Sequence, residues 1–161
     1  MDKSFIDFMS DRLSAAKTSH QKWPDQILFE FRTDVGLAMT SIRTPGDLTV
    51  CNVGIDQPVS PERVGDTAEL INPINMEFGP GSITANFVEG MIVCRTCVPF
   101  GLIRNDDQVA SLLLGSTVAG VTGAVRAVRD VLNGKSVDEA MHGWRNRPMP
   151  AYFVLPENLA G

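Results

Sequence analysis

The sequence predicts an α+β fold: one antiparallel sheet of about five strands with helices packed beside it. Three observations carry this. Between Gln26 and Ile55, apolar residues recur in short runs separated by tight turns, as strands require. Ser60-Pro61-Glu62 then opens an apolar helix. A compact hairpin follows, Ser82–Phe87 and Met91–Val98, before helical spacing returns. The predicted order is helix, three-strand meander, helix, hairpin and C-terminal helices.

Each element has its own local cause. Ser4 can cap an opening helix in which Phe5, Phe8, Met9, Leu13 and Ala16 recur at helical spacing. Lys22 to Asp25 lead into the first strand, where Ile27, Phe29 and Phe31 share one face and Leu28, Glu30 and Arg32 the other. Asp34 to Gly36 turn the chain into a second strand, Leu37–Arg43. Thr44-Pro45-Gly46-Asp47 matches a type II turn, with Pro second and Gly third. Leu48–Ile55 is the third strand.

In the next helix, running to Leu70-Ile71-Asn72-Pro73-Ile74-Asn75, the residues Val64, Ala68, Leu70, Ile71 and Ile74 span a wide apolar arc. A helix lying on a sheet needs a narrower one. Two explanations stand open: a second subunit covers the excess, or the helix is buried on two sides within one chain. Val88-Glu89-Gly90 suits a three-residue hairpin loop with Gly90 left-handed. Asn105, Asp106 and Asp107 open a helix that Gly115, Gly120 and Gly123 weaken, predicting two segments that meet near Gly115–Thr117. Asn133-Gly134 ends it, and Ser136-Val137-Asp138-Glu139 is a capping box for a short last helix. Residues 1–143 read as one domain. Residues 144–161 read as a tail, extended or packed on the domain, whose Trp144, Arg145, Arg147, Tyr152 and Phe153 are types enriched in binding hot spots.

Composition narrows the function. The 161 residues are 43% hydrophobic and 20% charged, enough for a real core. Fourteen Lys plus Arg, scattered, against nineteen Asp plus Glu argue against a nucleic-acid partner, which calls for a basic patch. Charges interrupt residues 1–16, so they do not read as a signal peptide. Glycines, Ser116, Thr117 and Arg126 break the most apolar tract, Val109–Val128, below an unbroken membrane span. Three cysteines do not make a disulfide scaffold, and the cytoplasm is the expected compartment.

Candidate chemistry is sparse. Cys94-Arg95-Thr96-Cys97 has the spacing of a redox or metal pair. On a strand, however, positions three apart face opposite sides about 10 Å apart, beyond the roughly 7 Å between α-carbons that a disulfide tolerates. Two small apolar strand residues are the simpler reading, with Cys51 a third buried thiol. Gly134-Lys135-Ser136 lacks the upstream glycine of a phosphate loop, since Arg129 holds that place. His20 and His142 read as exposed helix-end residues without ligand partners. Glu89, Asp106 and Asp107 are explained by a solvated loop and a helix N-terminus. No catalytic, metal or cofactor residue is assigned.

At Ala68-Glu69-Leu70-Ile71-Asn72-Pro73-Ile74-Asn75 and the hairpin after it, the chain resembles the YbjN-like family of candidate bacterial sensory transduction regulators. The resemblance spans roughly Ile27 to Met141 in element order. Pro73 departs from a smooth helical reading and displaces the expected helix end. The resemblance implies a type III secretion chaperone-like fold and a regulator or interaction protein, often dimeric, without a catalytic site to transfer.

The expectation is a non-catalytic regulatory or protein-interaction protein, not an enzyme, from the bacterial cytoplasm. It would act as a homodimer with a protein partner and without cofactor, metal, nucleic acid or membrane. Recognition would use an apolar patch or sheet edge, and Val64, Ala68 and Ile71 are the expected dimer surface. A dedicated chaperone for one client is the alternative. A small enzyme or ligand sensor with a thiol-containing pocket is the alternative from another class, and it requires an accessible, low-pKa cysteine.

Overall fold

Six strands form the sheet, one more than the sequence pattern gave. The computed structural model describes residues 4–79, 81–99 and 107–147. In chain order the elements are α1 (Phe5–Ala15), β1 (His20–Lys22), β2 (Gln26–Thr33), β3 (Gly36–Arg43) and β4 (Leu48–Asp56). A 3-10 turn (Pro61–Arg63) leads into α2 (Val64–Glu77), β5 (Gly81–Asn86), β6 (Met91–Pro99), α3 (Asp107–Leu132) and α4 (Val137–Arg145). The strand order is β1-β2-β3-β4-β6-β5, antiparallel throughout. The architecture is α+β, with four helices beside an antiparallel sheet.

The meander follows the pattern closely. Thr33 pairs with Gly36 across a two-residue turn, closed by Thr33 Oγ1 donating to the Gly36 carbonyl at 2.8 Å. Gly36 has φ +144°, a value that favours glycine. The Pro45-Gly46 turn closes one residue later than the type II prediction, through Leu48 N to the Pro45 carbonyl at 3.2 Å. The extra strand β1 leaves no mark in the pattern, because three polar residues carry no apolar alternation. It pairs with Phe29, Leu28 and Ile27. His20 is therefore a half-buried strand residue, not an exposed helix end: one ring nitrogen lies 2.9 Å from Ser10 Oγ and the other 3.0 Å from the Thr18 carbonyl.

Register sends every second side chain inward. Ile27, Phe29, Phe31, Ala38, Ile42, Cys51, Val53, Ile55, Ile83, Ile92 and Cys94 join one core with the helices. Ser4 caps α1 by accepting from Asp7 N at 3.1 Å, and both bonds of the Ser136–Glu139 capping box are present. Within this chain α2 is buried on more than one side, which accounts for Leu70, Ile71 and Ile74 and leaves Val64 half-buried and Ala68 exposed. That helix lies against β5, α3 and α4, and Leu70, Ile71 and Ile74 are buried.

Two helix predictions need correction. The helix α2 does not stop around Asn75; it runs through Pro73 to Glu77, because Phe78 (buried) anchors its last turn. The helix α3 is continuous rather than broken near Gly115–Thr117. Each internal glycine costs about 1 kcal/mol of propensity, but here the missing Cβ is what lets neighbours close in. A Cβ on Gly120 would lie 2.6 Å from Phe78 Cζ and 2.9 Å from Cys94 Sγ, and one on Gly123 would lie 2.7 Å from Arg147 Cδ. Tertiary contact outweighs propensity. The same helix is long and apolar enough to cross a membrane, but 67% of its most apolar window is buried inside the fold, which accounts for that apolarity.

The last helix also extends further than Gly143. Trp144 lies in α4 and is 1% exposed, edge-on to Phe78 at 6.0 Å between ring centres, with the Arg147 guanidinium 3.5 Å from its ring centre. Trp144 and Arg145 thus continue α4, and at these residues the chain packs on the domain rather than extending from it. The expectations for residues 100–106 and 148–161, including Asp106, Tyr152 and Phe153, lie outside the described residues.

Candidate functional site: the open face of the sheet

The helices cover one face of the sheet, and part of its other face, around Leu28, Glu30, Arg32, Leu37, Met39 and Val93, forms an open groove of about 820 Å3. Register fixes which side chains share that face. Glu30, Met39, Gly54, Val93 and Thr84 stand in one row across the strands. Arg32 and Leu37 pair in the next row, as do Asp56 with Met91. On the other flank is a polar row of Gln21, Leu28, Ser41, Asn52, Arg95 and Ser82. Beyond it stand Arg43, Val50 and Cys97.

Part of this face is apolar where a solvated one would be polar throughout. Leu48, 45% exposed, stands apart beyond Val50 at the far end of β4. Leu37 is 45% exposed and Met39 37%, and they share the apolar part of the face with half-buried Leu28, Met91 and Val93. Clustered exposure of this kind marks an interaction surface more than scattered apolar residues do. Gly54 forms the floor: a Cβ there would lie 2.5 Å from Met91 Cε, so the flexible Met91 side chain lies across it.

Both sheet edges are blunted, so the face offers more than the rims do. At one edge β1 has only three residues, and its Lys22 pairs with Asp7 of α1. At the other, Asn75 of α2 acts as a surrogate strand. Its Nδ2 donates to the Ile83 carbonyl at 2.8 Å and its Oδ1 accepts from Ile83 N at 2.6 Å. The asparagine of the Leu70–Asn75 element therefore satisfies the outward backbone of Ile83, in the middle of β5. The hairpin loop is four residues, Phe87–Gly90, not three, because Asn86 Oδ1 accepts from both Val88 N and Glu89 N while Gly90 takes φ +67°.

The residues singled out from sequence scatter over the fold. On α2, Val64 is half-buried and Ala68 exposed, whereas Ile71 is 8% exposed and belongs to the core. Cys94 and Cys97 face opposite sides, the first buried and the second exposed beside Val50, and all three cysteines are free. Burial pushes the Cys51 thiol up to about 12, and burial likewise raises Cys94. That is the reverse of what a thiol nucleophile needs. Asp107 pairs with Arg12, Lys135 with Asp130 at 2.9 Å, and Glu89 accepts from Asn86 at 2.8 Å. Each of these is a local tie. No group of three His, Cys, Asp or Glu with metal-holding geometry occurs among the described residues. The open face itself was not singled out from sequence.

No family model matches the sequence, and no curated protein matches it. Among solved structures the fold is similar to that of YbjN from E. coli, a candidate transcription regulator. The TM-score is 0.55 at 10% identity, covering 79% of this chain and 91% of that one. At that identity the similarity establishes the architecture and a structural relationship with YbjN.

Proposed function

We propose that this chain is a non-catalytic regulatory protein of the YbjN-like kind, acting in the bacterial cytoplasm by binding a protein partner on the open face of its sheet. The observation that carries the reading is the apolar row Met39–Gly54–Val93 with Leu37 and Met91 beside it, left uncovered by the chain's own described helices. The YbjN-like architecture supports the class, since that neighbour is a candidate regulator. A dedicated chaperone would use the same surface for one client. Homodimerisation through α2 belongs to the same proposal, with Ala68 and Val64 the residues available to it.

The test is affinity capture from the native host with wild-type and Met39→Asp baits matched for circular dichroism and melting temperature. The expected result is a discrete protein retained by the wild type and lost with Met39→Asp. Equal recovery on both baits, with loss only on Ala68→Glu, would move the interface to α2 and end the open-face assignment.

A further inference from the structure

We infer that the occupant of the open face is an acidic amphipathic helix laid across the strands. The inference rests on the protein-binding reading above and names the kind of segment that binds.

The first argument is charge. Among the described residues, Arg12, Arg63, Arg126 and Arg145 each pair with a carboxylate. Arg129 donates to Gln57 and to the Val35 carbonyl, and Arg147 covers Trp144. Arg32, Arg43 and Arg95 differ: all three are exposed on the open face without a carboxylate partner among the described residues. Arg95 gives only its Nε, to Asn52 Oδ1 at 2.8 Å. The same face carries two acids, Glu30 and Asp56. With three arginines to two acids the face is net positive by one charge on a chain whose overall charge is −5. Carboxylates flanking an apolar ridge complement it.

The second argument is shape. The apolar row crosses β3, β4 and β6, so Met39 and Val93 lie two strand spacings apart, about 10 Å. Helix positions i, i+4 and i+7 cover about 10.5 Å at 1.5 Å per residue. Three anchors on one helix face thus match three successive strands. The groove is concave, and a second flat sheet would leave its volume unfilled. A helix is convex and fills it, with Met39 and Met91 adapting to its side chains. Strand addition has little free edge to use, given Asn75 and the short β1. Single-stranded nucleic acid would need aromatic platforms, whereas Phe29 and Phe31 point into the core.

The probe is a displayed library of random peptides about 16 residues long, enough for roughly four helical turns. It is selected on the wild-type protein and counter-selected on Met39→Asp. The expected winners have apolar residues at i, i+3 or i+4, and i+7, with Asp or Glu on the flanks, and become helical on binding. Replacing Arg32, Arg43 or Arg95 by Gln should weaken the best peptide about two- to fivefold each and flatten its salt dependence.

Winners with period-two or basic patterns, or tighter binding of an oligothymidine strand, would overturn the helix assignment. Selection of nothing beyond the Met39→Asp control, with host capture still dependent on Met39, would sink the inference and leave the proposed function standing. Loss of both dependences would remove both. Leu37→Asp serves as the second variant should Met39→Asp fail to fold.

Discussion

The two faces of the sheet are made by the same residues in alternation, yet they obey different rules. Inward, Ile27, Phe29, Ile42, Val53, Ile92 and Cys94 are sealed by four helices, and even their neighbours are specialised: Gly120 exists to let Phe78 and Cys94 approach α3. Outward, Leu37, Met39, Val93 and Met91 are as apolar as many core residues but no described helix covers them, and the arginines among them lack carboxylate partners among the described residues. Stability accounts for the first set. It does not account for the second, since a solvated antiparallel face is satisfied by polar side chains. The difference separates residues that hold the fold from the residues to which the proposed function assigns a partner.

That division is open to attack by substitution, starting with the largest effect. Trp144→Ala removes the largest fully buried side chain, wedged against Phe78. It should cost about 3–5 kcal/mol in denaturant unfolding. Gly120→Ala adds a methyl where Phe78 and Cys94 Sγ already crowd, and should cost about 1–3 kcal/mol despite the better helix propensity. A stabilised Gly120→Ala protein would show that α3 does not sit as closely on the sheet as described.

On the outer face the scale collapses. Met39→Asp or Leu37→Asp should move stability by no more than about 0.5 kcal/mol, while abolishing partner capture. A loss of several kcal/mol would place these residues in the core and erase the contrast. Thiol labelling of the native protein sharpens it further. Cys97, exposed on the outer face, should react fully, and Cys51 and Cys94 only on unfolding.

The smallest effect concerns pH. Arg145 donates to both oxygens of Glu77 and holds its carboxyl below the ordinary 4.5. A depressed folded pKa gives stability that is present above the unfolded value and lost as pH falls through the folded one. Glu77→Gln should therefore lower the melting temperature slightly at neutral pH and leave it unchanged on the acid side of 4.5, where Glu77 is itself protonated. The drop between the two shrinks only a little, because the pair is exposed.

Much of the fold was legible because local chemistry and tertiary structure agree. The meander, the hairpin strands, the Ser4 cap and the Ser136–Glu139 box all read directly from period and capping rules. The failures have two causes. Gly120 and Gly123 look like helix weakeners until Phe78, Cys94 and Trp144 are seen to press on them, and β1 has no apolar alternation to reveal it. Asn75 stood out only as part of a pattern; its bonds to Ile83 needed coordinates.

The open face was half visible. Outward positions such as Leu37, Met39, Val50 and Val93 are apolar where alternation calls for polar residues. That excess was readable. That the arginines beside it would go without carboxylates was not, because ion pairing between distant elements leaves no trace in spacing.

Methionine methyl NMR tests the central claim most directly, since the side chains are distributed as reporters: Met39 and Met91 on the open face, Met76 on α2 at 89% exposure, Met9 and Met141 in the core. On titration with the selected acidic helix, the Met39 and Met91 signals should shift while Met9, Met76 and Met141 hold still. Shifts at Met76 with Met39 and Met91 unmoved would contradict the account.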